Sequence, residues 1–131
     1  MIAQSLIVDM LSPVWVSIKL AAITTLCLLL FATPVAYWLA KPSRGQTVSR
    51  LKVLLMGIIA MPLVLPPTVI GFYLLLLLSP SVGIGKWLIE HNISPLVFTF
   101  EGLVIGSIIY SLPFYIQPVY AQFLRIPASV M

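Results

Sequence analysis

With 131 residues, 61% of them hydrophobic and only 8% charged, the chain cannot coat a water-soluble core, since soluble domains carry roughly 25% charged residues. Its mean hydropathy of +1.16 marks an integral membrane protein instead. The net charge of +4 does not form a nucleic-acid patch: Lys41, Arg44, Arg50 and Lys52 gather in one short polar stretch, which is a topology signal, and no nucleic-acid partner is expected.

Residues 1–11 have no basic n-region, and the apolar run that follows is too long for the h-region of a cleaved signal peptide. Crossing a hydrocarbon core of about 30 Å takes roughly 20 apolar residues in a helix, and three segments qualify, at about 14–40, 53–79 and 102–124. The first has Trp15 at one end and Tyr37 and Trp38 at the other, as interfacial aromatic anchors do. Lys19 sits one turn inside it. It either snorkels to the interface or faces an entry funnel as a point of attraction for an anion. Cys27, the single cysteine, lies in an apolar run and reads as a small hydrophobe. The following loop, residues 41–52, has four cations and no acid, so the positive-inside rule puts it in the cytoplasm.

The second segment contains "MPLVLPPTVIGFYLLLLL", with Pro62, Pro66, Pro67 and Gly71 inside an apolar run. In a continuous helix these prolines orphan the carbonyls of Ile58, Pro62 and Leu63. Met61 and Leu65, each preceding a proline, are pushed away from helical geometry. Hydrocarbon offers no water to rescue such carbonyls, so the break must meet protein or a water-filled cavity. Pro66 or Pro67 suits the first turn of a new half-helix, with Thr68 just inside it. One reading is a kink that only shapes packing; the other is a broken helix on a transport path.

The loop 80–101 holds Lys86, Glu90 and Glu101. Its net negative charge places it outside, with the N-terminus outside and the C-terminus, carrying Arg125, in the cytoplasm. A short amphipathic piece is expected around 85–91. His91 has no second ligand beside it and reads as a solvated loop residue, so no metal site is expected. The third segment opens on Gly102 and Gly106, a GxxxG pair that permits close helix contact. Ser107 and Ser111 share one helical face, followed by Pro113 and Pro118. Asp9, Glu90 and Glu101 are scattered outside the apolar segments. No catalytic set or cofactor motif appears, so the chain is not expected to be an enzyme or to carry a cofactor.

"PLVLPPTVIGFYLLLL" resembles the proline motif of the inner-membrane permeases of bacterial molybdate ABC transporters, and "SIKLAA", "ATPVAYWLA" and "FTFEGLVIGSIIYSLPFYIQPV" are similar to further parts of that family. The resemblance implies an all-α, polytopic type I ABC permease of the inner membrane. Such a permease works as a homodimer, with a periplasmic molybdate-binding protein and cytoplasmic ATPase subunits that hydrolyse the ATP. It implies that Pro62, Pro66, Pro67, Thr68 and Gly71 shape the translocation path or gate. From the residues themselves, Ser107 and Ser111 either bond back to the preceding turn or line a polar path, Pro113 joins them as a path candidate, and Lys19 is the candidate anion attractor. Thr68, at a half-helix N-terminus, is the best single candidate for anion contact. Family members run to about twice this length, with an EAA coupling loop expected just after Met131. Residues 1–131 are therefore expected to be the N-terminal part of the transmembrane domain, unstable and not competent alone. A sulfate, thiosulfate or tungstate permease is the alternative within transport, and a small non-transporting membrane scaffold the alternative outside it.

Overall fold

The computed structural model describes every residue except Ser43, Ala128 and Met131. Its elements are helices: α1 (Ile2–Cys27), a π-turn (Leu28–Ala32), α2 (Thr33–Ala40), α3 (Gln46–Val64), α4 (Pro67–Leu78), α5 (Gly83–Glu90) and α6 (Phe100–Arg125). The expected all-α class is borne out, with no strand among the described residues.

The helical stretches do not map one to one onto the three expected segments. Four helical stretches are long and apolar enough to cross a membrane: Ile2–Ala40, Gln46–Val64, Pro67–Glu90 and Phe100–Arg125. The segment expected at 53–79 is two helices, because neither Pro66 nor Pro67 can donate the hydrogen bond that would continue α3. Helix α3 runs through Pro62 and stops where Leu65 turns extended (φ −81°, ψ 138°). The first helix also begins earlier than expected, at Ile2.

Pairwise contacts give the directions. Lys19 Nζ lies 5.0 Å from the Phe100 ring centroid, the Thr33 and Tyr115 hydroxyls are 2.7 Å apart, and the Tyr37 and Phe123 rings meet edge-on at 5.5 Å. Both numbers rise together, so α1–α2 and α6 run parallel. Met56 and Gly57 of α3 share a groove with Tyr120 and Leu124, while Leu74 of α4 approaches Gly106. Thus α3 and α4 follow one another along α6 in the opposite direction, like the two halves of one broken crossing.

The core is the seam between α2 and α6. Leu28, Ala32, Ala36, Leu39 and Ile116 are buried there, with Ile59 and Leu112 packed against them. Hydrocarbon gives no hydrophobic drive between helices, so close backbone approach at small residues must hold them. Ala32, Ala36 and Ala40, four apart and all buried, are that small-residue face. The GxxxG pair does less: a Cβ on Gly106 would meet Leu74 Cδ1 at an ordinary 3.6 Å, and one on Gly102 would strike the Leu96 carbonyl in its own entry loop.

The π-turn sits one residue before Thr33–Pro34. It adjoins the point where Pro34 interrupts the hydrogen-bond ladder of the continuous helix Ile2–Ala40, and a local π adjustment is one way a membrane helix accommodates the missing donor. Helix α6 is capped by Thr99, whose Oγ1 accepts from the Gly102 N–H at 3.2 Å. Glu101 in its first turn and Arg125 in its last complement the helix dipole. Outside the bundle, α5 matches the expected amphipathic piece. Asn92, with φ 59°, ends it in the left-handed conformation that asparagine tolerates. His91 is exposed, with Nδ1 2.9 Å from the Trp87 carbonyl oxygen.

Candidate translocation path

The break is a short extended link. Leu65 and Pro66 have ψ of 138° and 142°, and the Pro66 carbonyl accepts from the N–H groups of Val69 (3.0 Å) and Ile70 (3.2 Å). Pro67 then occupies the first position of α4, as expected for a half-helix, which at 12 residues is only about 18 Å long. Pro62 is half-buried within α3, while Pro66, Pro67, Thr68 and Gly71 are exposed on the surface of the chain. Val64, beside the link, is 85% exposed. At membrane depth a bare backbone of this kind needs cover from other protein or from water, and this chain does not supply it.

Ser107 and Ser111 lie elsewhere, in a cavity of about 490 Å³ between α1 and α6. They face Ser17, Thr24 and Thr25 from α1, with Tyr115 at the inner end. Thr24 is 6% exposed, and its Oγ1 is a buried polar atom with no hydrogen-bond partner. That is costly: an unsatisfied buried hydroxyl loses about 1–3 kcal/mol. The Ser17 hydroxyl donates to the Pro13 carbonyl at 2.9 Å, and Tyr115 is held by Thr33, so the rim is fixed while Thr24 is left free. Neutral hydroxyl donors converging in a groove can hydrate or bind an anion without burying a countercharge.

A second groove, about 480 Å³, runs between α4 and α6 and is lined by Pro67, Gly71, Leu74, Gly106, Ser107 and Tyr110. Ser107 lines both grooves. The structure therefore brings Pro67, Gly71 and Ser107 together, and Ser107 with Ser111. Thr68 and Pro62 line neither groove. Pro113 is fully buried in α6, a structural position rather than a lining one. Lys19 is exposed at the outer end with its ammonium on the Phe100 ring, on a different face of α1 from Thr24. Sequence reasoning missed Ser17, Thr24, Thr25 and Tyr115. The signal was the hydroxyl spacing 17, 24, 25, which keeps one helical face and meets the face of Ser107 and Ser111. Among the described residues no group of three metal-ligating side chains comes together.

No family model matches the chain, and no solved structure matches it. Curated relatives do. The chain is 45% identical over 113 residues, 86% of its length, to the molybdenum transport system permease protein ModB of Azotobacter vinelandii. It is 29% identical over 126 residues to a putative molybdenum transport system permease protein of Bacillus subtilis. It is also 28% identical over 112 residues to the sulfate transport system permease protein CysW of Escherichia coli. These matches cover 48%, 52% and 35% of the respective relatives, so the chain spans about half their length or less. The resemblance to molybdate permeases drawn from the motifs is borne out. With its membrane-length helices, the chain is a multi-pass protein of the inner membrane.

Proposed function

We propose that this chain, similar over most of its length to molybdenum transport permeases, forms part of the membrane path of an ATP-driven importer for a tetrahedral oxyanion, with molybdate as the first substrate. The observation that carries this reading is the hydroxyl-lined groove between α1 and α6, with Thr24, buried and unpartnered at Oγ1, in its wall. A dianion passing through hydrocarbon needs hydrogen-bond donors that replace its hydration shell. Fixed opposite charges would hold it too tightly to release, whereas Thr24, Thr25, Ser107 and Ser111 offer donors of moderate strength. Lys19, at the outer end, raises the local anion concentration. The exposed break at Leu65–Pro66, with Pro62, Pro67, Thr68 and Gly71 around it, is the gate element, covered by a second permease subunit in the working assembly. ATP hydrolysis belongs to separate cytoplasmic subunits, and a periplasmic binding protein delivers the oxyanion.

A sulfate-type substrate is the second reading, favoured by the similarity to the sulfate permease. Molybdate and sulfate share charge and shape, so the groove accepts either, and the choice falls to the binding protein. Both readings are tested by uptake of labelled molybdate and sulfate into vesicles holding the permease with its ATPase and binding protein. Thr24→Val with Ser111→Ala lowers uptake at least tenfold while assembly persists. Unchanged uptake in this variant overturns the groove as the path, and unchanged uptake in Thr68→Val removes Thr68 from it. Failure of the permease to bring down an ATPase points to the scaffold reading instead.

A further inference from the structure

We infer that the end of the bundle carrying the 41–52 loop binds one anionic phospholipid, in the groove between α2, α3 and α6. This groove has a volume of about 610 Å³ and an amphiphilic lining. Its polar end has Lys41, Ser49 and Lys52, and its length is formed by Val53, Met56 and Leu124. A headgroup phosphate fits the first set and an acyl chain the second.

The two lysines are positioned but not neutralised. Lys41 Nζ lies 4.6 Å from the Tyr37 ring centroid, and Lys52 Nζ lies 5.2 Å from that of Trp38. Lys52 Nζ also donates to the Lys41 carbonyl at 2.6 Å, which pins the α3 lysine against the end of α2. An aromatic face orients an ammonium but leaves its full charge in place. The acids of the chain are Asp9, Glu90 and Glu101: Asp9 near the start of α1, Glu90 at the end of α5, Glu101 at the start of α6. All three lie towards the opposite end of the bundle, while Arg44, Arg50 and Arg125 add to the positive end. Among the described residues no acidic side chain stands at this end to neutralise them.

Topology alone does not require this arrangement. The positive-inside rule asks for cations near the membrane, in any geometry, whereas here two of them are held at the mouth of an apolar groove at the interface. Anionic lipids are concentrated at the cytoplasmic leaflet, and basic grooves between membrane helices on that side bind their headgroups. Gly57 leaves the tail region open, since a Cβ there would meet nothing within 4 Å. Free inorganic phosphate shares the headgroup chemistry but cannot use Val53 and Met56.

The test uses the full-length permease that carries these residues, purified in a neutral detergent, with native mass spectrometry and thermal melting. Added phosphatidylglycerol is expected to give a one-to-one adduct and to raise the melting temperature by roughly 5 °C at saturation. Phosphatidylcholine and inorganic phosphate give neither. K41Q with K52Q lowers affinity at least tenfold, and R44Q with R50Q changes it less than threefold. Gly57→Leu fills the tail region without touching a charge and also lowers affinity. Equal protection by phosphatidylcholine overturns the inference, as does full protection by phosphate alone. Equal loss in the two charge variants, or retained affinity in Gly57→Leu, overturns it as well.

Discussion

Ile116→Ala tests the seam between α2 and α6 and the physics assigned to it. Ile116 is 1% exposed and packs among Leu28, Ala32, Ala36 and Leu39. In a water-soluble protein its truncation costs about 2–5 kcal/mol, part from lost transfer out of water and part from the cavity left behind. In a bilayer the transfer part vanishes, because lipid tails are as apolar as the core. The cavity part remains: three carbons leave on the order of 80 Å³, which at about 24 cal/mol per Å³ gives about 2 kcal/mol. Leu26→Ala is the control. Leu26 is 65% exposed, faces lipid in the isolated chain, and its truncation costs about zero or gains slightly from helix propensity. The assay is reversible unfolding of the chain in bicelles with increasing dodecyl sulfate. A cost above about 4 kcal/mol for Ile116→Ala would restore the transfer part and refute the bilayer argument. Equal costs for the two variants would refute the packed seam.

Four further outcomes follow from the same geometry. A double-mutant cycle of Thr33→Val and Tyr115→Phe across their 2.7 Å contact should give a coupling of about 0.6 kcal/mol, the average for such bonds in membranes, in the same unfolding assay. Thr24→Val removes an unpartnered buried hydroxyl at nearly constant shape, so it should raise stability by about 1 kcal/mol even as uptake falls; joint loss of stability and uptake would contradict the groove reading. Gly85→Ala places a methyl against the Leu78 and Ser79 carbonyls, rigid backbone that cannot step aside, and should expose the α4–α5 connection to limited proteolysis. Gly71→Ala, whose new methyl meets nothing within 4 Å, should leave the digestion pattern unchanged. Pro66→Ala with Pro67→Ala restores two N–H donors and should join α3 to α4, read as loss of cysteine labelling at residue 65 in a Leu65→Cys background.

The helices were legible because apolar length and proline chemistry act locally. Pro66 and Pro67 announced both the end of α3 and the start of α4, and the positive loop marked one end of the bundle. The number of membrane-length helices was not legible, since a hydropathy run does not record a two-residue extended link such as Leu65–Pro66. The site was half legible. Ser107 and Ser111 were visible as a polar pair, but their partners Thr24 and Thr25 sit in another span, and only the parallel pairing of α1 with α6 brings them together. Ala32, Ala36 and Ala40 formed the small-residue pattern that held, while the Gly102–Gly106 pair drew attention for the same spacing. A glycine signals close approach without naming the partner, which for Gly102 is its own loop.

The π-turn at Leu28–Ala32 also sets a phase. Thr24, Leu28, Ala32, Ala36 and Ala40 are all buried, and they recur every four residues. In an ideal helix each step of four rotates the chosen face by about 40°, so the set would wind well round the helix and leave α6. One wide turn absorbs much of that drift and keeps the hydroxyl half and the alanine half pointed at the same neighbour. The helix is thus a two-part instrument tuned by a single extra residue. Removing one residue from 28–32 would let the turn close to ordinary helix with both faces still in phase, seven steps of about 100° returning to within about 20° of the start, whereas straightening the turn with every residue kept would swing the Thr24 face about 80° from the alanine face.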